Sequence, residues 1–143
     1  VDLFKLESPL AAAEVRPLGA PSAGETQRWF AELDKLAGRP WVMLSAGAGM
    51  QEFRNVLEHA YAAGASGYLA GRAIWLNAFR HFPDWDAVRA ALRGEALAYM
   101  QDINAPTDAM ARPWHSHPCY GANGAGISPA DASFRQAYPG FGG

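Results

Sequence analysis

The sequence predicts an α/β fold organised on a parallel sheet. Three observations carry that expectation: short apolar runs of strand character open the chain and recur at 41–44 and 67–70, helical periodicity follows each, and glycine or proline punctuates the joins. Strands and helices in strict alternation call for parallel pairing with crossover helices. Such a sheet is covered on both faces, so three units form either a small open sheet or the last part of a larger closed barrel.

The opening stretch Val1 to Pro9 alternates: Val1, Leu3, Lys5 and Glu7 share one face, and Asp2, Phe4 and Leu6 the other. Residues 10–21 are rich in alanine and broken by Pro17, Gly19 and Pro21, which reads as a loop with room for one helical turn. A helix follows from Ser22, with Trp29, Phe30, Leu33 and Leu36 as its apolar positions, Ser22 or Thr26 as cap, and Gly38 with Pro40 as stop. Trp41-Val42-Met43-Leu44 is continuously apolar, the pattern of a strand buried on both faces.

Phe53, Val56, Leu57 and Ala60 repeat at helical spacing up to Gly64, and Gly67-Tyr68-Leu69-Ala70 is the third strand. Residues 73–79 suit a short helix. A longer one is predicted from Asp84 to Pro106, with Val88, Leu92, Leu97, Met100 and Ile103 as its stripe. From Arg112 the chain turns rich in glycine and proline, so 1–111 reads as the barrel part and 112–143 as an irregular arm.

With 143 residues, half of them hydrophobic, and a net charge of -2, one compact core is expected and a nucleic-acid partner is disfavoured. The window 60–79 is interrupted by Arg72 and by glycines, so no membrane span is expected. The single Cys119 cannot build a disulfide framework, which fits a cytoplasmic setting. The chain opens at Val1 inside a strand-like segment, which reads as a truncated start.

Two features carry chemistry. An amine at Lys5 and a carboxylate at Glu7 lie on one strand face; in a closed interior such a lysine is desolvated and becomes a nucleophile able to form a Schiff base with a ketone. The loops Ser45-Ala46-Gly47-Ala48-Gly49 and Gly71-Arg72 each place glycine before a helix N-terminus, and the second adds a guanidinium. Ser45, Ala46, Gly47, Gly71 and Arg72 are therefore the candidate phosphate cradle. In eight-stranded α/β barrels the commonest phosphate site uses the loops after the last two strands plus a short helix.

Other patterns weigh less. Gly47-Ala48-Gly49 has Glu52 where a dinucleotide fingerprint needs its third glycine. His115, His117 and Cys119 match no standard zinc spacing, so neither a metal nor a cofactor is expected. His59 and His81 read as packing or surface residues, whereas Trp75, three positions after Arg72, is placed to line the same pocket.

Lys5-Leu6-Glu7, the run Pro40 to Gly47 and the run Ala65 to Trp75 together resemble the class I tagatose-1,6-bisphosphate aldolase family, and its relative the sulfofructose-phosphate aldolase. The likeness is strongest over residues 1 to about 80 and weakest beyond Arg112. It implies an eight-stranded barrel of which this chain holds the sixth to eighth strands. It further implies that Lys5 forms the Schiff base beside Glu7, and that Ser45, Gly47, Gly71 and Arg72 hold the phosphate of a phosphorylated sugar. The family's first five strands, with a further acid/base carboxylate, lie outside this sequence, so activity is expected only with that missing N-terminal barrel portion. A homo-oligomer is also implied. Two other readings remain open: a phosphate-binding isomerase with no covalent step, and a catalytically silent assembly module.

Overall fold

A computed structural model of the chain describes residues 2–126; Val1 and the arm beyond Gly126 lie outside the described residues. Three strands, β1 (Phe4–Leu6), β2 (Trp41–Leu44) and β3 (Tyr68–Leu69), form one sheet in the order β1-β2-β3. Both pairings are parallel, with Lys5 opposite Val42, Leu6 opposite Met43, and Leu44 opposite Leu69. All three strands therefore end at the same edge.

The helices cover one face. Trp41 and Met43 on β2 are fully buried against Phe30 of α1 (Ala23–Ala37) and Phe53, Val56, Leu57 and Ala60 of α2 (Met50–Ala63). The opposite face carries exposed Leu3, Lys5 and Leu69 with half-buried Val42 and Leu44. The expected burial of β2 on both faces is thus corrected: its apolar run is buried on alternate residues only.

Helix α1 stops at Gly38, left-handed at φ 58°. Its buried positions are Ala23, Thr26 and Phe30, with Leu33 and Ala37 packed behind them, while Trp29 and Leu36 face outward, Leu36 with 81 % of its surface exposed. Trp29 and Leu36, seven residues apart, form a second stripe beside the core stripe. Thr26 is therefore a core contact and not a cap, and Ser22 holds the cap position without a side-chain hydrogen bond. Trp41 Nε1 donates to Asp34 at 2.8 Å, which ties β2 to the end of α1.

Helix α2 begins at Met50, where Glu52 turns back to accept from the Gly49 N-H at 2.9 Å. It closes at Gly64, whose φ of 113° strains any side chain and where an added Cβ would also have to displace the Arg112 guanidinium. Gly64→Ala is expected to destabilise the chain by about 1–3 kcal/mol, read as a lower denaturant midpoint at unchanged slope.

After β3, α3 (Arg72–Trp75) gives way to a 3-10 turn at Ala78–His81, so the short helix expected over 73–79 starts one residue earlier and is interrupted. The long helix is divided as α4 (Trp85–Ala91), a π turn (Leu92–Ala96) and α5 (Leu97–Met110). Asp84 caps it by accepting from the N-H groups of Asp86 and Ala87. The inward stripe is Val88, Leu92, Ala96, Tyr99, Ile103 and Thr107, and the expected Leu97 and Met100 are exposed. The helix also runs past Pro106, where Thr107 donates its hydroxyl to the Ile103 carbonyl at 2.7 Å.

Downstream, the described part of the arm holds two 3-10 turns, Trp114–Ser116 and Pro118–Tyr120. Arg112 pairs with Asp34 at 3.8 Å, and the Tyr120 hydroxyl donates to the Asp2 carbonyl at 3.0 Å. Among the described residues no helix is long and apolar enough to cross a membrane.

Burial pushes the Tyr61 phenol up to about 12 against the pull of its hydrogen bond with Thr107, and burial raises Tyr68 and Tyr99 as well. A raised phenol holds its proton longer in the folded chain than in the unfolded one. Its stabilising contribution is whole below the ordinary tyrosine value of 10.0 and is lost as pH climbs towards about 12. The denaturant midpoint is therefore expected to fall across that interval, and Tyr61→Phe to make the fall shallower.

Candidate active site

Because the strands are parallel, the segments after β1, β2 and β3 meet at one edge of the sheet. There Lys5, Ser45, Ala46, Gly47, Gly71 and Arg72 line a single open cavity of about 550 Å³, joined by Leu44, Leu69, Ala70 and Trp75. Lys5 reaches it from the bare face of β1, level with Val42. Ser45 is buried, and its N-H donates to the Leu69 carbonyl at 3.1 Å, locking the loop after β2 to β3.

That loop turns sharply. The Ala48 N-H donates to the Ser45 carbonyl at 2.8 Å, with Ala46 at φ 48° and Gly47 at φ 84° between them. Two successive positive φ values make this a type I′ turn. The Arg72 guanidinium lies over Gly47, where an added Cβ would stand 3.2 Å from its Nη2 and 3.4 Å from its Cζ. Across the second loop, the Trp75 indole nitrogen approaches Gly71 to 3.5 Å of where a Cβ would be. Arg72 is exposed and forms no ion pair among the described residues.

Glu7 is placed differently. It lies beyond the end of β1 and lines a neighbouring cavity of about 390 Å³ with Ser8, Leu10, Ala12 and Phe53. Leu44, Ser45 and Ala46 form the partition shared by the two cavities. Lys5 and Glu7 make no ion pair with each other among the described residues.

The other candidates fall away from this edge. His59 is fully buried between α1 and the loop after β1, with Nε2 donating to the Arg16 carbonyl at 3.0 Å and Nδ1 facing Gln27 Oε1 at 2.8 Å. His81 is exposed on its 3-10 turn. The buried His117 accepts from the Cys119 N-H through Nδ1 at 3.2 Å, and among the described residues no three His, Cys, Asp or Glu side chains are grouped to hold a metal. Sequence reasoning did not single out Leu44 and Leu69 as lining residues, although strand alternation puts Leu44 on the face of Val42 and hence of Lys5.

Comparison with known proteins bears on this arrangement. A family model described as DeoC/LacD family aldolase matches residues 1–77, over half of the chain. Tagatose 1,6-diphosphate aldolase 2 of Streptococcus agalactiae is 27% identical over 122 residues, covering 80% of this chain and 37% of the relative. The enzyme of the same name from Enterococcus faecalis is 29% identical, with 81% and 38% covered. Tagatose 1,6-diphosphate aldolase of Staphylococcus aureus is 30% identical, with 80% and 37% covered. The chain thus spans a little over a third of the length of the curated relatives it matches. On the extent of the family match, the chain belongs to the DeoC/LacD aldolase family.

Proposed function

We propose that this chain forms the sixth to eighth strand-helix units of a (β/α)8 barrel that acts as a class I aldolase on a phosphorylated ketose, releasing dihydroxyacetone phosphate and an aldehyde. The observation that carries the reading is the shared cavity: Lys5 and Arg72 line one space at the edge where the parallel strands end, where barrel enzymes carry their chemistry. Family membership supports the reaction type, and the relatives' names support a substrate of the tagatose 1,6-bisphosphate kind, with a sulfofructose 1-phosphate as the alternative that the sequence resemblance implies.

In this mechanism Arg72 and the N-H groups of the two loops hold the phosphate, which fixes the distance from ketone to lysine. Unprotonated Lys5 Nζ adds to the ketone carbon, and loss of water leaves an iminium. A base takes the proton from the C4 hydroxyl, the C3-C4 bond breaks, and its electron pair flows into the iminium to give an enamine. Protonation of the enamine at C3 and hydrolysis then return the lysine and release dihydroxyacetone phosphate. Glu7, in the adjoining cavity, assists proton transfer, and the principal acid/base group comes from outside this chain.

The rest of the barrel completes the site. Lys5 is exposed here, so the desolvation that makes a lysine nucleophilic has to come from strands closing over the bare sheet face. Leu69 on that face is 46 % exposed, and Phe4, Leu6, Leu33, Leu36 and Ala37 form a shallow apolar groove beside β1. A preceding strand-helix unit fits that groove, and the assembled enzyme is proposed to be a homo-oligomer.

The test is kinetic. The assembled enzyme should cleave a phosphorylated ketose in the presence of chelator and be inactivated by borohydride only when dihydroxyacetone phosphate is present. Activity that chelator removes, or that survives reduction with the ketone bound, would contradict the mechanism. Gly47→Ala adds a methyl group against the Arg72 guanidinium at a positive φ and is expected to raise KM for the phosphorylated ketose about tenfold, the equivalent of one weakened charged hydrogen bond.

A further inference from the structure

The loop that carries Ser45, Ala46 and Gly47 holds an unfavourable shape. Alanine at φ 48° is strained where glycine or asparagine would be relaxed. Such a residue persists only where its surroundings over-determine it. The leading end of the turn is fixed by the Ser45 N-H donating to Leu69, and the Gly49 N-H is fixed by Glu52, within the same strand-helix unit.

The third fastening comes from far along the chain. The Tyr99 hydroxyl donates to the carbonyl of Met50, the first residue of α2, at 2.8 Å. Tyr99 itself is buried on α5, 49 residues away. It lies eleven residues from Val88, about three α-helical turns, and so shares the inward face of that helix. From Val88 to Thr107 the inward stripe advances nineteen residues in five turns, one more than about 3.6 residues per turn provides. The wide turn at Leu92–Ala96 accommodates the extra residue; Tyr99 faces α2, while Leu97 and Met100 face out.

The geometry points to Tyr99 as a positioning residue for the phosphate-holding turn, acting through the Met50 carbonyl; this rests on the phosphate role proposed above for Ser45 to Gly47. Tyr99 touches no substrate. Its hydroxyl sets where α2 starts, and therefore where the N-H groups of the strained turn stand relative to Arg72. The phosphate end of a ligand should feel its loss, and the ketone end should not.

The experiment uses the assembled enzyme and two ketones, dihydroxyacetone phosphate and unphosphorylated dihydroxyacetone, each trapped on the enzyme with borohydride. Tyr99→Phe keeps the ring in the core and removes only the hydroxyl. It is expected to raise the half-saturating concentration of dihydroxyacetone phosphate about three- to tenfold, weaken competition by inorganic phosphate by the same factor, and leave both the limiting trapping rate and the reaction with dihydroxyacetone unchanged. Met100→Ala, an exposed neighbour, should change none of these.

Equal losses with both ketones in Tyr99→Phe would make Tyr99 a general packing residue and overturn the assignment, as would no change with either. A wild-type enzyme that traps the two ketones equally well would contradict the phosphate reading itself, and the inference with it, before any variant is measured.

Discussion

Replacing Lys5 by alanine is expected to lower kcat/KM for the phosphorylated ketose by roughly four orders of magnitude or more, the scale seen when a covalent nucleophile is removed. The fold should survive. Lys5 is exposed at the middle of β1 and forms no ion pair among the described residues, so the stability change should stay within about 0.5 kcal/mol. Lys5→Arg is expected to be equally inactive, because a guanidinium keeps its proton and offers no free pair to the ketone. Substantial turnover by Lys5→Ala would favour a barrel enzyme without a covalent step, such as an isomerase.

Arg72→Ala is expected to have the second largest effect. The guanidinium lies over Gly47 at the junction of both loops, and a charge-assisted hydrogen bond to phosphate contributes about 1.5–3 kcal/mol. Loss of that contribution lowers kcat/KM about ten- to 150-fold, chiefly through KM. Arg72→Lys should recover only part, since an ammonium supplies the charge without the planar fork. Steady-state kinetics on a phosphorylated and an unphosphorylated ketone separate the outcomes, because a structural defect would impair both.

Much of this architecture is written in short-range patterns. The alternation from Asp2 to Glu7, the apolar run at 41–44 and the glycines at 38 and 64 locate strands and helix ends because each reflects a local steric or hydrogen-bonding demand. The cavity residues follow from the same patterns. In a parallel sheet every strand ends at one edge, so Lys5, the 45–49 loop and Arg72 are brought to a common rim without any knowledge of side-chain contacts.

What the sequence concealed depends on contacts between distant segments. Trp29 and Leu36 have the spacing of core positions, yet the buried positions are Ala23, Thr26 and Phe30, and Phe30 stacks on His59 of α2. Pro106 lacks the N-H that an α-helix needs at its fourth preceding carbonyl, but Thr107 pairs with Tyr61 at 2.7 Å and the last turn is held. On the long helix the apolar Leu97 and Met100 are exposed, whereas Tyr99, about three α-helical turns from Val88, faces inward because its polar hydroxyl finds the Met50 carbonyl. Glu7 shows the same limit: strand alternation gives it the face of Lys5, but β1 ends at Leu6 and Glu7 lines the adjoining cavity.

The most direct test is peptide mapping of the enzyme after reduction with borohydride in the presence of dihydroxyacetone phosphate. A reduced ketone adduct on the peptide that contains Lys5, absent without the ketone, is the expected result. An adduct on a different lysine, or none at all under conditions that support turnover, would contradict the account.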